Sequence, residues 1–428
     1  MVTNVSYTPS EKGRTYLGAT LGYLFDGYNL LLTTFLLVTV SEYFATSVPI
    51  VVYAVTFALV GSVLGGIGFG WLADRMGRRP TLLITILVFG ISTVLTGLSA
   101  NLSQFYLFQF IAGLGVGGEW GVGFSLLNEA WGEKSRGLAG GFLQAMFPAG
   151  GLLGAVTAGY MLSHYGTAVG WRYSYIFVGL ISMALLTFRI FMPESKVWQQ
   201  KVKDALSGKS TGIVEKSPLK EIFNRDMIRW TFFGTLLVLG FMFYFYSGQV
   251  FYPTFFAKVG KVPATVIPLI ITIGSLLGII AEVLIGGAND KFGRKRSATM
   301  FGFISLMVIF PFFYTSMQNL AYAGNIFSYG SFYSYGLLYF FQASYAALFG
   351  VWLGEMFPTR MRATGSNFCY MVGRGVGGGL APIMVPILAI SAGGLGQGMS
   401  VAMLIGAVIM ISAVFGLKET KGTVISQF

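Results

Sequence analysis

The chain has 428 residues, of which 54% are hydrophobic and 10% charged, with 28 Lys and Arg against 16 Asp and Glu. Soluble domains carry about 25% charged residues, so this composition excludes an ordinary water-facing surface. The net charge of +12 is therefore read as membrane topology and not as a nucleic-acid footprint.

A helix that crosses a bilayer needs roughly 20 mostly apolar residues, and such runs are predicted at 16–41, 49–73, 81–100, 104–128, 137–163 and 173–192. The first is too long for a signal-peptide core and lacks a small-residue cleavage site, so it is read as a retained helix. The stretch 193–229 follows, polar and rich in Lys, Ser and Gly, and reads as a linker. Six further apolar runs lie at 230–257, 264–288, 298–317, 332–355, 364–390 and 397–417. The expectation is an all-α membrane protein of 12 transmembrane helices, with a six-helix half at 1–192, a cytoplasmic linker at 193–229 and a second six-helix half at 230–428.

Twenty-three of the 28 Lys and Arg fall at the N-terminus, in the even-to-odd helix connections, in the linker and in the C-terminal tail, whereas Arg172, Lys258 and Lys261 occupy the opposite loops. The positive-inside rule then puts both termini in the cytoplasm of a multi-pass cell-membrane protein.

A repeat crosses the linker. Gly70-Trp-Leu-Ala-Asp74-Arg75-Met-Gly77-Arg78-Arg79 matches Gly286-Gly-Ala-Asn-Asp290-Lys291-Phe-Gly293-Arg294-Lys295 at an offset of 216 residues. Glu129 with Arg136 is answered by Glu355 with Arg362, offset by 226. Two motifs repeating in order imply two equivalent halves, the arrangement in which transporters build a site at the half-to-half interface. Carboxylates and arginines at helix ends form charge-assisted hydrogen bonds to neighbouring helices. Asp74, Arg75, Arg78, Glu129, Arg136, Glu282, Asp290, Arg294, Glu355 and Arg362 are thus expected to gate the cytoplasmic side or to anchor its topology.

An ionisable side chain at the bilayer centre costs about 2.5–3.5 kcal/mol on translocon scales, so each needs a partner or a wet cavity. Asp26, Glu119, Glu282 and Arg374 stand inside predicted helices. The guanidinium of Arg374 can hold a substrate carboxylate by two parallel hydrogen bonds, or it can pair with Asp26 or Glu119 as a structural bridge. Asp26, whose charged form burial disfavours, and Glu119 are the expected proton carriers. Asn29 shares a helix face with Asp26, and Tyr246, Gln249, Asn367 and Tyr370 form with Arg374 a polar stripe suited to a solute. The lone histidine, His164, and lone cysteine, Cys369, offer no metal cluster, and the Gly-rich run 373–379 has no Gly-Lys-Ser/Thr ending, so no metal or other cofactor is expected.

The Gly-x-x-x-Asp-Arg-x-Gly-Arg-Arg loop resembles the hallmark of the major facilitator superfamily, and the resemblance covers the whole chain. Gly113-Leu-Gly115-Val-Gly117-Gly118-Glu119-Trp120-Gly121 and Glu355-Met-Phe357-Pro358-Thr-Arg360-Met-Arg362-Ala-Thr-Gly365 look like its metabolite, aromatic-acid and sialate proton symporters. Asn367-Phe-Cys369-Tyr370-Met-Val-Gly373-Arg374 and Gln249-Val-Phe-Tyr252-Pro253-Thr254 resemble the sialate:proton symporter family, which includes lactate and pyruvate carriers. The resemblance implies the major facilitator fold, two pseudo-symmetric halves, and a functional monomer that is a carrier and not an enzyme. Its implied function is alternating-access symport of protons with a small organic anion, foremost a monocarboxylate such as lactate or pyruvate. A dicarboxylate, an aromatic acid, sialate or a sugar is the alternative cargo, and a nontransporting nutrient sensor the alternative role. Tyr246 and Val250 replace a His and an Asp usual in that family, helix 1 carries Asp26-Gly27-Tyr28-Asn29 where two acids are common, and Gln109 replaces a frequent arginine. Coupling must then rest on fewer charges.

Overall fold

A computed structural model describes residues 7–130, 136–196, 198–200, 203, 207, 218–263, 265–318, 321–357 and 362–421. Thr8 opens the first helix with a capping box: its hydroxyl accepts the Glu11 N–H at 3.3 Å while its own N–H reaches Glu11 Oε2 at 2.8 Å. That helix, α1 (Pro9–Tyr43), is followed by α2 (Val48–Met76), α3 (Arg78–Gly97) and α4 (Leu102–Ala130). Arg136–Gln144 leads into Met146–Ile190, which turns back at Gly166, where φ is +73°, and so supplies both α5 and α6.

The second half repeats this plan. The helix α7 is Ile228–Gln249 with Tyr252–Lys258, α8 is Ile267–Phe292, and α9 is Arg294–Met307 with Ile309–Met317. Gly330–Ala346 with Phe349–Met356 forms α10. Next, α11 runs from Arg362–Gly373 through a π turn, Arg374–Gly378, into Gly379–Ala392, and α12 is Leu395–Gly416. Ten described helical segments are long and apolar enough to cross a membrane. The segment Gly137–Ile190 supplies two passes by folding at Gly166, and α4 supplies the remaining one, giving the twelve expected.

Side chains on the outside are apolar: Leu64, Ile67, Leu284, Phe310 and Ile390 are among the large hydrophobics exposed there. With lipid as the solvent, burial of apolar surface no longer drives helix association, and close backbone approach takes over. The α2–α4 contact shows it. A Cβ on Gly61 or Gly65 would collide with the carbonyls of Phe110 or Leu114, and one on Gly113 or Gly117 with those of Ala58 or Ser62.

The duplicated motif is duplicated in three dimensions. Gly77 (φ +99°) ends α2 and Gly293 (φ +95°) ends α8, each in a backbone region that favours glycine. The guanidinium of Arg78 donates to Ala73 O at 2.9 Å and that of Arg294 to Asn289 O at 3.0 Å, the same five-residue step. Glu194 accepts the N–H groups of Arg78 and Arg79 at 2.9 and 3.1 Å, and Glu419 accepts those of Arg294 and Lys295 at 2.8 and 3.1 Å. Each carboxylate caps the positive end of the following helix. Partial burial pushes the Glu419 carboxyl up, but the N–H groups of Lys421, Arg294, Thr420 and Arg296 together hold it below the usual carboxylate range. It is therefore a charged cap at neutral pH.

Candidate functional site

The halves meet at both ends of the bundle. At the end carrying the basic loops, Trp120 of α4 stacks on Tyr370 of α11 with ring centroids 3.5 Å apart and planes within 3°. Gly121 sits against Asn367, Gly66 against Met371, and the backbones of Gly141 and Gly286 touch. The Asp290 carboxylate abuts Gly137 and accepts the N–H of Leu138, so an α8 acid closes over the first turn of α5. At the other end Gly159 packs on Pro268, and nearer the middle Thr56 Oγ1 donates to Gly379 O at 3.1 Å.

Between these closures lies an ion pair that joins the halves. Asp26 stands half-way along α1, and Arg374 stands where α11 loosens into its π turn, a feature frequent at functional sites. Arg374 Nη1 and Nη2 donate to Asp26 Oδ2 and Oδ1, both at 2.8 Å, and the side chains are 1% and 0% exposed. This is the parallel two-bond geometry that only a guanidinium offers a carboxylate. The Phe147 ring lies 5.9 Å from the guanidinium carbon, and Tyr246 faces Arg374 from α7. Arg374 Nε keeps no partner among the described residues.

A polar belt surrounds the pair. Tyr370 and Tyr23 hydroxyls are 3.2 Å apart, and Gln144 Nε2 donates to the Tyr23 hydroxyl at 2.8 Å. Asn29, one turn beyond Asp26, is buried with Oδ1 unpartnered, and Gln249 of α7 is buried with Nε2 unpartnered. Asn367 also leaves its Oδ1 without a partner, but it lies against Gly121 in the half-to-half contact at the basic end.

Glu119 is held apart from Arg374. Arg189 of α6 donates Nη1 to Glu119 Oε1 at 2.7 Å and Nη2 to Oε2, while the Thr85 hydroxyl donates to Oε1 at 2.6 Å. The cation also reaches the carbonyls of Leu82 and Gly18, at 2.7 and 3.2 Å, so the pair ties α1, α3, α4 and α6 within one half. Gly22 leaves the room for it, since a Cβ there would strike both Arg189 and Glu119. Removing one member of a buried ion pair strands the other, at about 3–5 kcal/mol. Glu119→Ala is accordingly expected to lower the unfolding free energy by about that amount, read by thermal unfolding in detergent.

The gating candidates divide. Arg294 holds Glu355 by two bonds of 2.9 and 3.0 Å and Asp290 at 3.3 Å, and Thr420 donates to Glu355 at 2.6 Å. The Arg78 guanidinium donates to Ala73 O beside the α2–α3 turn, and the guanidinium of Arg75 lies over the Trp71 ring at 4.0 Å. Glu282 belongs to none of these pairs: it is buried on α8 between α5 and α10. The side chains of Asp74, Glu129, Arg136 and Arg362 lie outside the described residues.

Sequence reasoning missed Arg189, Glu194, Glu419, Tyr23 and Gln144. A signal for two of them existed, because Glu194-Ser195-Lys196 after α6 and Glu419-Thr420-Lys421 after α12 form a third repeat, offset by 225. Nothing local marks Arg189 as the partner of a residue 70 positions earlier.

Comparison with known proteins agrees with this architecture. The sequence profile of the Major Facilitator Superfamily matches residues 19–382. The chain is 32% identical over 392 residues to the cis,cis-muconate transport protein of Acinetobacter baylyi, covering 90% of this chain and 89% of that one. It is 26% identical to the sialic acid transporter NanX of Escherichia coli, covering 88% and 87%. Its fold matches the structure of the proton:xylose symporter XylE bound to 6-bromo-6-deoxy-D-glucose with a TM-score of 0.75 at 19% identity, over 98% of each chain. The chain belongs to the Major Facilitator Superfamily and is a multi-pass membrane transporter, not an enzyme.

Proposed function

We propose that the protein is a proton-coupled symporter of small organic anions, in which Arg374 holds the carboxylate of the cargo and Asp26 carries the proton. The observation that carries this reading is the two-bond Asp26–Arg374 pair, buried between the halves. While Asp26 is ionised it occupies both terminal nitrogens of the guanidinium, the same donors a substrate carboxylate needs. Protonating Asp26 cancels its charge and frees the fork, so proton and anion each favour the binding of the other. The net charge of the site is zero with Asp26 ionised and zero again with one proton and one monocarboxylate bound. One proton therefore accompanies each monocarboxylate, and that transport moves no net charge.

The loaded, neutral site is free to change sides by rocking of the two halves, which requires the Asp290–Leu138 latch, the Arg294–Glu355 pair and the Trp120–Tyr370 stack to rearrange. The basic end faces the cytoplasm, since positive charge is retained there during insertion. A single chain encloses the whole pathway, so the functional unit is a monomer in the cell membrane. Lactate and pyruvate are small monocarboxylates that suit this chemistry. A second reading, a larger carboxylate with further polar groups, is favoured by the unpartnered Asn29 Oδ1 and Gln249 Nε2, which suit hydroxyl or amide contacts. Muconate and sialic acid, named for two relatives, are both carboxylates of that broader class.

Proteoliposomes given labelled lactate, nicotinate, cis,cis-muconate or sialate under an imposed inward proton gradient test the proposal. Accumulation of at least one, abolished by a protonophore, is the expected result. Uptake indifferent to the gradient overturns the coupling, and uptake of xylose in preference to all four acids overturns the anion.

A further inference from the structure

The buried face of α8 carries polar side chains at Ser275, Glu282 and Asn289, all at most 4% exposed. They are seven residues apart, two helical turns or about 10.5 Å at each step, and therefore lie on one line. Glu282 Oε2 and Asn289 Oδ1 have no hydrogen-bond partner among the described residues, and Ser275 faces the Tyr339 hydroxyl. Buried polar atoms in native proteins are nearly always paired or hydrated. Two such orphans two turns apart on one buried face are positions that hydration would satisfy.

Glu282 is the titratable member of the line. From α10, Tyr339 faces it; from α5 it meets the uncharged Gly141, and beside it Pro148 covers Gly278. No Lys, Arg or His among the described residues forms an ion pair with it. Eight residues along α8, about 12 Å, Asp290 is occupied by Arg294 and the Leu138 N–H. A carboxylate with no cationic partner among the described residues is costly in such a place.

We propose that Glu282 is a second proton-binding site, on a route along α8 by which protons leave the central site toward the cytoplasm. The proposal rests on the proton-coupled reading above. With α5 closed over α8 by the Asp290 latch, Glu282 holds its proton. When the latch opens, water reaches Glu282 past Asn289, the O–H bond breaks heterolytically, and the proton passes to that water, leaving the carboxylate. On closure the carboxylate is recharged by a proton delivered from the side of Ser275 and Asp26. Opening and discharge are thereby one event.

Glu282→Gln keeps the shape and removes the proton. In proteoliposomes, E282Q is expected to lose gradient-driven accumulation of the same four labelled acids by about a hundredfold while keeping exchange counterflow, and Glu282→Asp restores part of the accumulation. Infrared difference spectra of the purified Asp26→Asn protein, which lacks the central titrating acid, give a readout that needs no substrate: the carbonyl band of a protonated carboxyl titrates with bulk pH in that background and is missing once Glu282→Gln is added. Wild-type accumulation by E282Q, equal loss of counterflow and accumulation in both Glu282 variants, or the same band after Glu282→Gln in the Asp26→Asn background each overturn the proposal. A wild type that ignores the gradient instead overturns the symport reading, and the infrared band still reports whether Glu282 binds a proton.

Discussion

Arg374→Ala is expected to abolish binding and transport of the carboxylate. The variant loses two charge-assisted hydrogen bonds, each worth about 1.5–3 kcal/mol, so affinity falls about a hundredfold to ten-thousandfold at 1.4 kcal/mol per decade. The same substitution strands Asp26, a buried acid 0% exposed on its side chain, which destabilises the fold by itself. Two further variants separate the effects. Arg374→Lys retains the charge and loses the planar fork, and its affinity is expected to fall about tenfold or more. The double variant Arg374→Ala with Asp26→Asn removes both charges, and it is expected to regain thermal stability without regaining binding. Calorimetric or thermal-shift titration with the accumulated acid measures all three, and tight carboxylate binding by Arg374→Ala would remove the central element of the mechanism.

Asp26→Asn is expected to uncouple transport while sparing binding. The amide mimics the protonated acid in shape and in lacking charge, so Arg374 is released permanently. Wild-type affinity should weaken by about tenfold per pH unit once Asp26 ionises, the slope of one linked proton, and the variant should show a flat profile. Counterflow persists, because the loaded site stays able to change sides, but accumulation against a gradient disappears. A wild-type slope retained in Asp26→Asn would move the proton to another group. Glu119 is the less suited alternative, since Arg189 and Thr85 already satisfy its carboxylate within one half and no motion between the halves needs to break that pair.

The two proton-site experiments are distinguishable by where coupling fails. Asp26→Asn alters the competition at Arg374 and so changes the pH dependence of affinity. Glu282→Gln leaves that competition intact and changes accumulation alone. A Glu282→Gln variant that moved both quantities together would argue for a general disturbance of the bundle.

Much of the fold was legible in the sequence because its signals are local or periodic. Runs of about 20 apolar residues, the placement of Arg and Lys, and a motif recurring 216 positions later need no knowledge of which helix touches which. The depth of Asp26 and Arg374 was likewise fixed by counting residues along a helix at 1.5 Å each. Partner choice was not legible. Asp26 and Arg374 are 348 positions apart, and Arg189 and Glu119 are 70 apart; either acid could have been matched to either cation on charge alone. Only the packing of α1 against α4, α6 and α11 decided it, by letting Gly22 admit the Arg189–Glu119 pair on one side while the π turn of α11 swings Arg374 onto Asp26. The same holds for Glu282, which sequence reasoning set among the gating charges. Among the described residues no cation pairs with it, and the neighbouring faces of α5 and α10 present Gly141, Pro148 and Tyr339 to that stretch of α8.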